Sequence, residues 1–246
     1  MSKKLAAGSK RICDAYQEAP ALYQQGIRTI CVDEKTGMQA LERNAADLPL
    51  QVGSPERHQV EYTRHGTQCL IANWDVVQGQ CIAPSLGETR TEKDFQQHIQ
   101  QTVELEAKVL RWRFIADNLN THCSESLVKY VATFENTKPE ELGIKGKKWI
   151  LKNKETRATY LSNQEHKISF IYTPKHCWWL NWAALRQIEI FFGILHKKAI
   201  GRHSVKRANF MSKEDLKDKV LKFIDYFNQT FAKPFQWTYG GKPCKA

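Results

Sequence analysis

The sequence predicts an α/β protein in which a mixed five-stranded sheet is flanked by helices. In the first part of the chain, short β-branched and apolar segments follow one another closely, which is typical of antiparallel hairpins. Farther along, such segments alternate with amphipathic helical patterns, which is typical of crossovers between parallel strands. With 246 residues and 41% apolar content, the chain is long enough to bury the core of such a sheet.

The antiparallel part of the predicted sheet begins at Arg28–Asp33, a β-branched apolar segment that ends on a carboxylate. Two hairpins follow this strand, the first of them around a turn at Gly66–Thr67. Their strands are predicted at 60–65, 68–74 and 79–83. This part of the chain therefore predicts three antiparallel strands in succession.

The later part of the chain predicts helices that alternate with strands. Thr91 can cap a first helix, because Asp94 follows it by three residues and apolar side chains then recur every four positions. The remaining elements are a strand at 110–117, a helix at 124–135, a strand at 168–173, a helix at 183–200 and a last helix capped by Ser212. This order is that of an RNase H-like mixed sheet, in which the first and fourth strands lie side by side.

The elements divide the chain into two parts. Residues 1–27 are mixed and polar, with a weakly helical stretch from Asp14 to Gln25, and are predicted to be a lead-in. Residues 28–246 are predicted to form the RNase H-like domain. Within it, residues 136–166 are basic, lack a clear period and are predicted to be an insertion.

The charge of the chain predicts a polyanionic partner. Lys and Arg exceed Asp and Glu by 11, and residues 138–207 alone carry fifteen basic against five acidic side chains. A basic stretch is often only a solvated face, but nucleic acid is the leading candidate partner.

No run of 18 apolar residues and no signal peptide is present, so we predict a cytoplasmic protein without a membrane partner. Seven scattered cysteines, without a C-x-x-C pair, predict reduced thiols rather than a disulfide framework or zinc site.

Three carboxylates form the candidate catalytic site. Asp33 and Asp117 end the two strands that the predicted fold places side by side, so they should meet at one sheet edge despite their separation along the chain. Glu189 is the only acid in the predicted 183–200 helix. Cleavage of a phosphodiester requires charge neutralisation on the attacking and leaving oxygens, and two Mg²⁺ or Mn²⁺ ions bound by carboxylates supply it.

Simpler interpretations exist for each of these residues. An aspartate at the end of a strand usually caps a turn, and a single glutamate on a helix is usually a polar residue at the side of the apolar face. Dinucleotide-binding and P-loop glycine motifs are absent from the sequence, and its His-Cys pairs have the wrong spacing for zinc. The predicted juxtaposition of Asp33 and Asp117 favours the catalytic interpretation.

The sequence resembles a known family at several blocks that occur in order. They are Cys31–Arg43, Tyr62–Thr67, Ala116–His122, Tyr172–His176, Gln187–Phe192 and Lys233–Tyr239. At these residues the chain is similar to the transposases of the insertion-sequence 630 family, bacterial relatives of mariner. The resemblance covers residues 12–243.

The resemblance implies an RNase H-like transposase domain whose Asp-Asp-Glu triad is Asp33, Asp117 and Glu189. It implies two Mg²⁺ or Mn²⁺ ions, with Asp33 bridging both and the other two acids each holding one. Members of the family cleave the ends of a mobile element and join the freed 3′-OH to a TA target. It further implies double-stranded DNA as partner, a homodimer on paired ends, action at the bacterial nucleoid, and DNA contacts by Lys35, Arg64, His65, Asn118, His122, Lys175, His176 and Asn181.

Two departures from the family pattern qualify these expectations. The chain begins almost at the core, so helix-turn-helix domains are predicted to be absent and would have to come from a separate polypeptide. Residues 182–186 stand between Asn181 and Gln187, which the family joins directly, and they amount to about 1.4 helical turns. The alternatives are therefore an inactive remnant that still binds DNA and a cellular nuclease of the same fold.

Overall fold

The computed structural model describes residues 3–44, 52–53, 61–173, 186–200 and 209–234. Their five strands form one mixed sheet in the order β3-β2-β1-β4-β5. β1 pairs with β2 antiparallel and with β4 parallel, while β3 and β5 form the two edges. The strands are β1 (Ile27–Arg43), β2 (Tyr62–Asp75), β3 (Gln80–Gly87), β4 (Arg111–Ala116) and β5 (Ile168–Tyr172). The predicted RNase H-like α/β fold, with the first and fourth strands adjacent, is confirmed.

Helices cover both faces of this sheet. The helices are α1 (Lys3–Gln24), α2 (Glu92–Leu105), α3 (Glu125–Ala132), α4 (Pro139–Leu142), α5 (Lys154–Leu161), α6 (Arg186–Leu195) and α7 (Lys213–Thr230). Apolar residues of α1, α6 and α7 pack in one core cluster, and those of α2, α3 and α5 pack in a second. Successive residues of a strand point to opposite faces, so each inner strand supplies side chains to both clusters.

The predicted hairpin at Gly66–Thr67 is wrong, because β2 runs through these residues without a turn. The reason is the length of β1, which continues ten residues past Asp33 and gives the beginning of β2 a pairing partner. Gly66 has φ +113° and lies where the register shifts between Gln39 and Leu41. A glycine at positive φ therefore marks a bulge here, not a turn.

The N-terminal segment is more helical than the sequence predicted. The predicted stretch Asp14–Gln25 is part of a longer helix, α1, which reaches back to Lys3. Its inner face buries Ile12, Ala15, Tyr16 and Ala19 at helical spacing against the sheet. A helix that supplies this much apolar surface belongs to the packed core.

The basic segment 136–166 is also folded. It contains α4 and α5, and it buries Leu142, Leu151 and Leu161 in the second core cluster. The predicted capping of α2 by Thr91 is confirmed, with the reciprocal bond from Asp94 in place, and Ser212 caps α7 as predicted. Of the predicted 183–200 helix, residues 186–195 are α-helical and 196–200 form a π-helical turn, while 183–185 lie outside the described residues.

Two further predictions concern the whole chain. Within the described ranges, no helix is both long and apolar enough to span a bilayer. Cys13, Cys31, Cys69, Cys81 and Cys123 are buried thiols, as expected for reduced, packed cysteines. Cys177 and Cys244 lie outside the described residues.

Candidate active site

Asp33 and Asp117 lie beside each other where the parallel pairing of the inner strands β1 and β4 ends, a position that we call the carboxylate edge of the sheet. The last paired residues of the parallel strands β1 and β4 are Cys31 and Ile115. Asp33 on β1 and Asp117, which directly follows β4, each lie two residues beyond this pair, so the two stand at the same height. The sheet thus brings together two acids that are far apart in the sequence, as the predicted strand order requires.

Glu189 lies in the first turn of α6, which packs across the face of the sheet next to β1 and β2. Ile188 and Phe191 of α6 are buried in the first core cluster. Gln187 fixes the start of the helix, because its Oε1 accepts a 2.7 Å hydrogen bond from the buried indole Nε1 of Trp74 on β2. An added Cβ at Gly193 would meet open space, which agrees with room above the carboxylate.

The carboxylate of Asp33 is buried and lies in the field of three other acidic side chains. Burial raises the pKa of Asp33, and a hydrogen bond from the backbone N–H of Glu34 opposes this rise. The negative charges of Asp117, Glu34 and Glu189 raise it further, to about 7. Burial also raises the pKa of Glu189. Crowded carboxylates of this kind hold protons unless a cation neutralises them.

His122 is held between two carboxylates. Its Nδ1 lies 2.6 Å from Oδ1 of Asp117, and its Nε2 lies 3.0 Å from Oε1 of Glu34. Burial lowers the pKa of His122, but the hydrogen bonds and charges of its two partners outweigh this effect and raise it to about 9. The ring also stacks on Phe95 of α2, with centroids 4.1 Å apart. A charged His122 therefore links Asp117 to the carboxylate that follows Asp33 in the sequence.

The loop that follows Asp117 is fixed at several backbone atoms. The Tyr172 hydroxyl donates a 2.7 Å hydrogen bond to the carbonyl of His122, and Arg157 Nε donates one of 2.6 Å to the carbonyl of Cys123. The ammonium of Lys154 donates to the carbonyl of Asn118. The segment 136–166 thus supports the loop directly, through two basic residues of α5.

The donor chemistry at this edge suits a hard divalent cation. Asp33, Asp117 and Glu189 offer only carboxylate oxygens, the ligands that Mg²⁺ and Mn²⁺ prefer. One oxygen of Asp117 is already engaged by His122, and one of Asp33 by the Glu34 N–H. In the described part of the chain, no three His, Cys, Asp or Glu side chains are close enough together to enclose a metal ion. The three carboxylates therefore fit the ions by donor type and charge, whereas their spacing in this structure is wider than a metal site requires.

The predicted DNA contacts occupy different environments. Arg64 is exposed on the extended part of β2 and lies over the ring of Tyr62, while His65 pairs with Glu42 at 2.7 Å. The ammonium of Lys35 lies 5.9 Å from the ring centroid of Phe192, and burial lowers its pKa. Asn118 is half-buried beside Asp117. Lys175, His176 and Asn181 lie outside the described residues.

His122 has a different place from the one the sequence predicted. Its side chain is fully buried between Asp117 and Glu34, so the ring has no surface to offer to DNA. The reason is the backbone turn at Thr121–Cys123, which directs the ring inward under α2. Its contacts are those of a residue that positions Asp117.

Sequence reasoning missed Glu34 and Gln187. Glu34 directly follows Asp33 on β1 and therefore points to the opposite face of the sheet, where its 3% exposed side chain meets His122 and lies 3.6 Å from Arg90. The available signal was an Asp-Glu pair at the end of a buried strand. Gln187 lies two residues before Glu189, and its role depends on a contact with Trp74 that spacing alone does not reveal.

The fold and this carboxylate edge agree with a match to a known family. The chain belongs to the DDE superfamily endonucleases, whose family model matches residues 28–212. The matched region contains Asp33, Asp117 and Glu189. A comparison with curated protein sequences gave no match.

Solved structures of one transposase are similar to this chain. The Mos1 mariner paired-end complex with Mn is 15% identical with a TM-score of 0.49, covering 92% of this chain and 56% of that one. The Mos1 transposase paired-end complex with the left transposon end is 16% identical with a TM-score of 0.49, covering 94% and 56%. The Mos1 mariner transposase catalytic domain is 13% identical with a TM-score of 0.45, covering 94% and 83%. The chain thus spans about half the length of the paired-end Mos1 chains that it matches.

Proposed function

We propose that this chain is the catalytic part of a DNA transposase that cleaves the ends of a mobile element and joins them to a TA target. The observation that carries this proposal is the position of Asp33 and Asp117 side by side where the parallel pairing of β1 and β4 ends, with the charge of Glu189 acting on Asp33. Family membership supports the nuclease class, and the excess of 11 basic residues supports DNA as substrate. Such a protein would act at the bacterial nucleoid, as a homodimer on paired ends.

Asp33, Asp117 and Glu189 would hold two Mg²⁺ or Mn²⁺ ions. When bound, the ions would neutralise charge on the attacking and leaving oxygens of the phosphodiester. The residues of the chain would supply orientation. His122 holds one oxygen of Asp117, the Glu34 N–H holds one of Asp33, and Gln187 fixes the helix that carries Glu189.

A plasmid-nicking assay with Mn²⁺ tests this function. We expect the wild-type chain to nick supercoiled plasmid and EDTA to abolish the activity. Because the metal ions contribute several kcal/mol to the transition state, Asp33→Asn and Asp117→Asn should each lower the rate roughly 100-fold or more. Asp218→Asn, which removes an exposed carboxylate on α7, is the matched control and should nick at the wild-type rate.

Two results would contradict the proposal. If the wild-type chain does not nick DNA, it is an inactive remnant. If Asp117→Asn nicks as fast as the wild type, the cleavage comes from another site or from a contaminant. Nicking that depends on Asp117 without any joining of a 3′-OH end to TA sequences would point to a cellular nuclease instead.

A further inference from the structure

A loop rich in lysine lies beside the candidate catalytic carboxylates. We call residues 143–154 the lysine loop; it carries five lysines and no acidic residue, at Lys145, Lys147, Lys148, Lys152 and Lys154. Lys154 contacts the carbonyl of Asn118, which follows Asp117. At the other side, Lys145 lies 3.9 Å from Glu92 and 3.5 Å from Glu125, in the first turns of α2 and α3. The loop is therefore placed at the same edge of the sheet as the catalytic acids.

The lysine loop is a defined structure. Leu142 and Leu151 anchor its base in the second core cluster, and the Leu151 N–H donates a 2.9 Å hydrogen bond to the Leu142 carbonyl. Ile144 and Lys148 form a β-bridge across the loop. Gly143 has φ +80°, and an added Cβ there would come within 2.3 Å of the Lys148 carbonyl oxygen. This scaffold fixes the backbone from which the lysines project, which lowers the entropic cost of binding a ligand.

Trp149 is the most unusual residue of the loop. Its backbone has φ +61°, a conformation that bulky L-residues rarely adopt, and 54% of the residue is exposed. The ammonium of Lys148 lies 4.4 Å from the centroid of its ring. The cation–π contact with Lys148 is favourable, but the backbone strain and the exposure of the ring to water are costly for the isolated chain. Backbone outliers of this kind concentrate at active sites and ligand-binding sites.

The combination of lysines and an exposed aromatic ring identifies the class of ligand. Lysines that contact phosphates and aromatic rings that stack on bases are the two components of single-strand binding surfaces. A solvated charge run would explain the lysines but would not explain the anchored base or the exposed Trp149. A protein partner would be expected to cover Ile144 and Trp149 with apolar surface, whereas lysines surround both residues here.

We propose that the lysine loop binds the DNA strand next to the scissile phosphodiester. In this arrangement Lys147, Lys148 and Lys152 contact phosphates, and Trp149 stacks on a base at the strand end. The inference relies on the proposed function for the identity of its ligand. It adds a DNA-binding surface that includes none of the individual residues predicted to contact DNA and lies within the segment predicted to be a basic insertion.

Fluorescence anisotropy in EDTA tests the loop without cleavage. The probe is a labelled DNA duplex that ends in a short single-stranded 3′ tail. Lys147→Ala/Lys148→Ala/Lys152→Ala should bind about tenfold more weakly at 0.1 M salt, and the slope of log K against log salt should fall by up to about 2.7. The matched control removes three exposed lysines elsewhere, Lys108→Ala/Lys217→Ala/Lys222→Ala, and should keep the slope.

The aromatic contribution is tested separately at Trp149. Trp149→Ala should weaken binding about fivefold or more, while Trp149→Phe should keep most of the affinity, because a phenyl ring still stacks on a base. Circular dichroism should show the same fold for all of these variants, whose altered side chains are exposed. Equal losses in the loop and control triple variants, or wild-type affinity of Trp149→Ala, would overturn the proposal.

The catalytic function and DNA binding by the lysine loop can fail independently of each other. If neither the wild type nor any variant nicks plasmid DNA, but the loop variants bind DNA more weakly than the wild type and the control triple variant, the catalytic function is contradicted and the lysine-loop proposal is supported. If the wild type nicks DNA, and the loop triple variant binds and nicks DNA as well as the wild type, the catalytic function is supported and the lysine-loop proposal is contradicted.

Discussion

Glu34 is a buried carboxylate that touches positive charge on two sides. His122 lies 3.0 Å from one of its oxygens and Arg90 lies 3.6 Å from the other, while Asp33, its neighbour in the sequence, points to the opposite face of the sheet. The carboxylate of Glu34 is therefore linked through His122 to the candidate catalytic residue Asp117. The expected role of this residue is to position Asp117, without contact to the substrate.

Glu34→Gln tests this role. The amide keeps the size of the side chain but leaves the buried, charged His122 with one carboxylate, so we expect the free energy of unfolding to fall by about 1–3 kcal/mol. Mn²⁺ should also raise the melting temperature of the variant less than that of the wild type, because Asp117 is held less firmly. Glu88→Gln, which removes an exposed carboxylate paired with Lys213, is the control and should change neither quantity measurably.

Thermal unfolding with and without Mn²⁺ measures both effects. If Glu34→Gln has the stability of the wild type and the same shift with Mn²⁺, the link between Glu34, His122 and Asp117 has no energetic role. A loss of stability with an unchanged Mn²⁺ shift would leave Glu34 as a purely structural residue.

Helix α6 is the element on which the third carboxylate depends. Its register against the sheet is fixed by the hydrogen bond between Gln187 and Trp74 and by the buried side chains of Ile188 and Phe191. Gln187→Leu keeps the volume but leaves the indole N–H of Trp74 buried without a partner. We therefore expect a loss of about 1–3 kcal/mol in the free energy of unfolding.

The same variant should slow plasmid nicking, because Glu189 is carried by the helix that Gln187 anchors. Ile190→Ala is a suitable control on the neighbouring exposed position of α6, and it should change stability by less than about 0.5 kcal/mol. Denaturant unfolding and the Mn²⁺ nicking rate are measured on both variants. Wild-type stability of Gln187→Leu would show that the hydrogen bond does not hold α6 in place.

The elements differ in how well the sequence predicted them. The strand order was predictable because hydrophobic pattern and crossover spacing are local signals, and it placed Asp33 and Asp117 correctly. The continuation of β1 to Arg43 could not be predicted. In the sequence Gly66 indicates a turn, and its place in a bulge becomes visible only once β1 pairs with β2. The burial of His122 depends on Glu34, which lies 88 residues away, and no periodicity reports such a contact.

At the scale of the whole molecule, helices cover both faces of the sheet, and one of them, α1, precedes the residues that match the family. Residues 28–212 match the family, yet α1 lies ahead of them and buries Ile12, Tyr16 and Ala19 against β1. The Arg113 guanidinium on β4 also donates to the carbonyl of Ala15 at 2.8 Å and pairs with Glu18 at 3.0 Å. The folding unit should therefore include α1.

Removal of residues 1–24 tests this expectation. Loss of α1 exposes the apolar face of the sheet, so the truncated chain should aggregate or unfold without a cooperative transition. Within the full chain, Tyr16→Ala should lower the free energy of unfolding by about 3 kcal/mol, because it leaves a large cavity in the first core cluster. Gln17→Ala, on the exposed side of the same helix, should lower it by less than about 0.5 kcal/mol. A truncated chain that unfolds cooperatively at the wild-type denaturant midpoint would place the boundary of the folding unit at β1 instead.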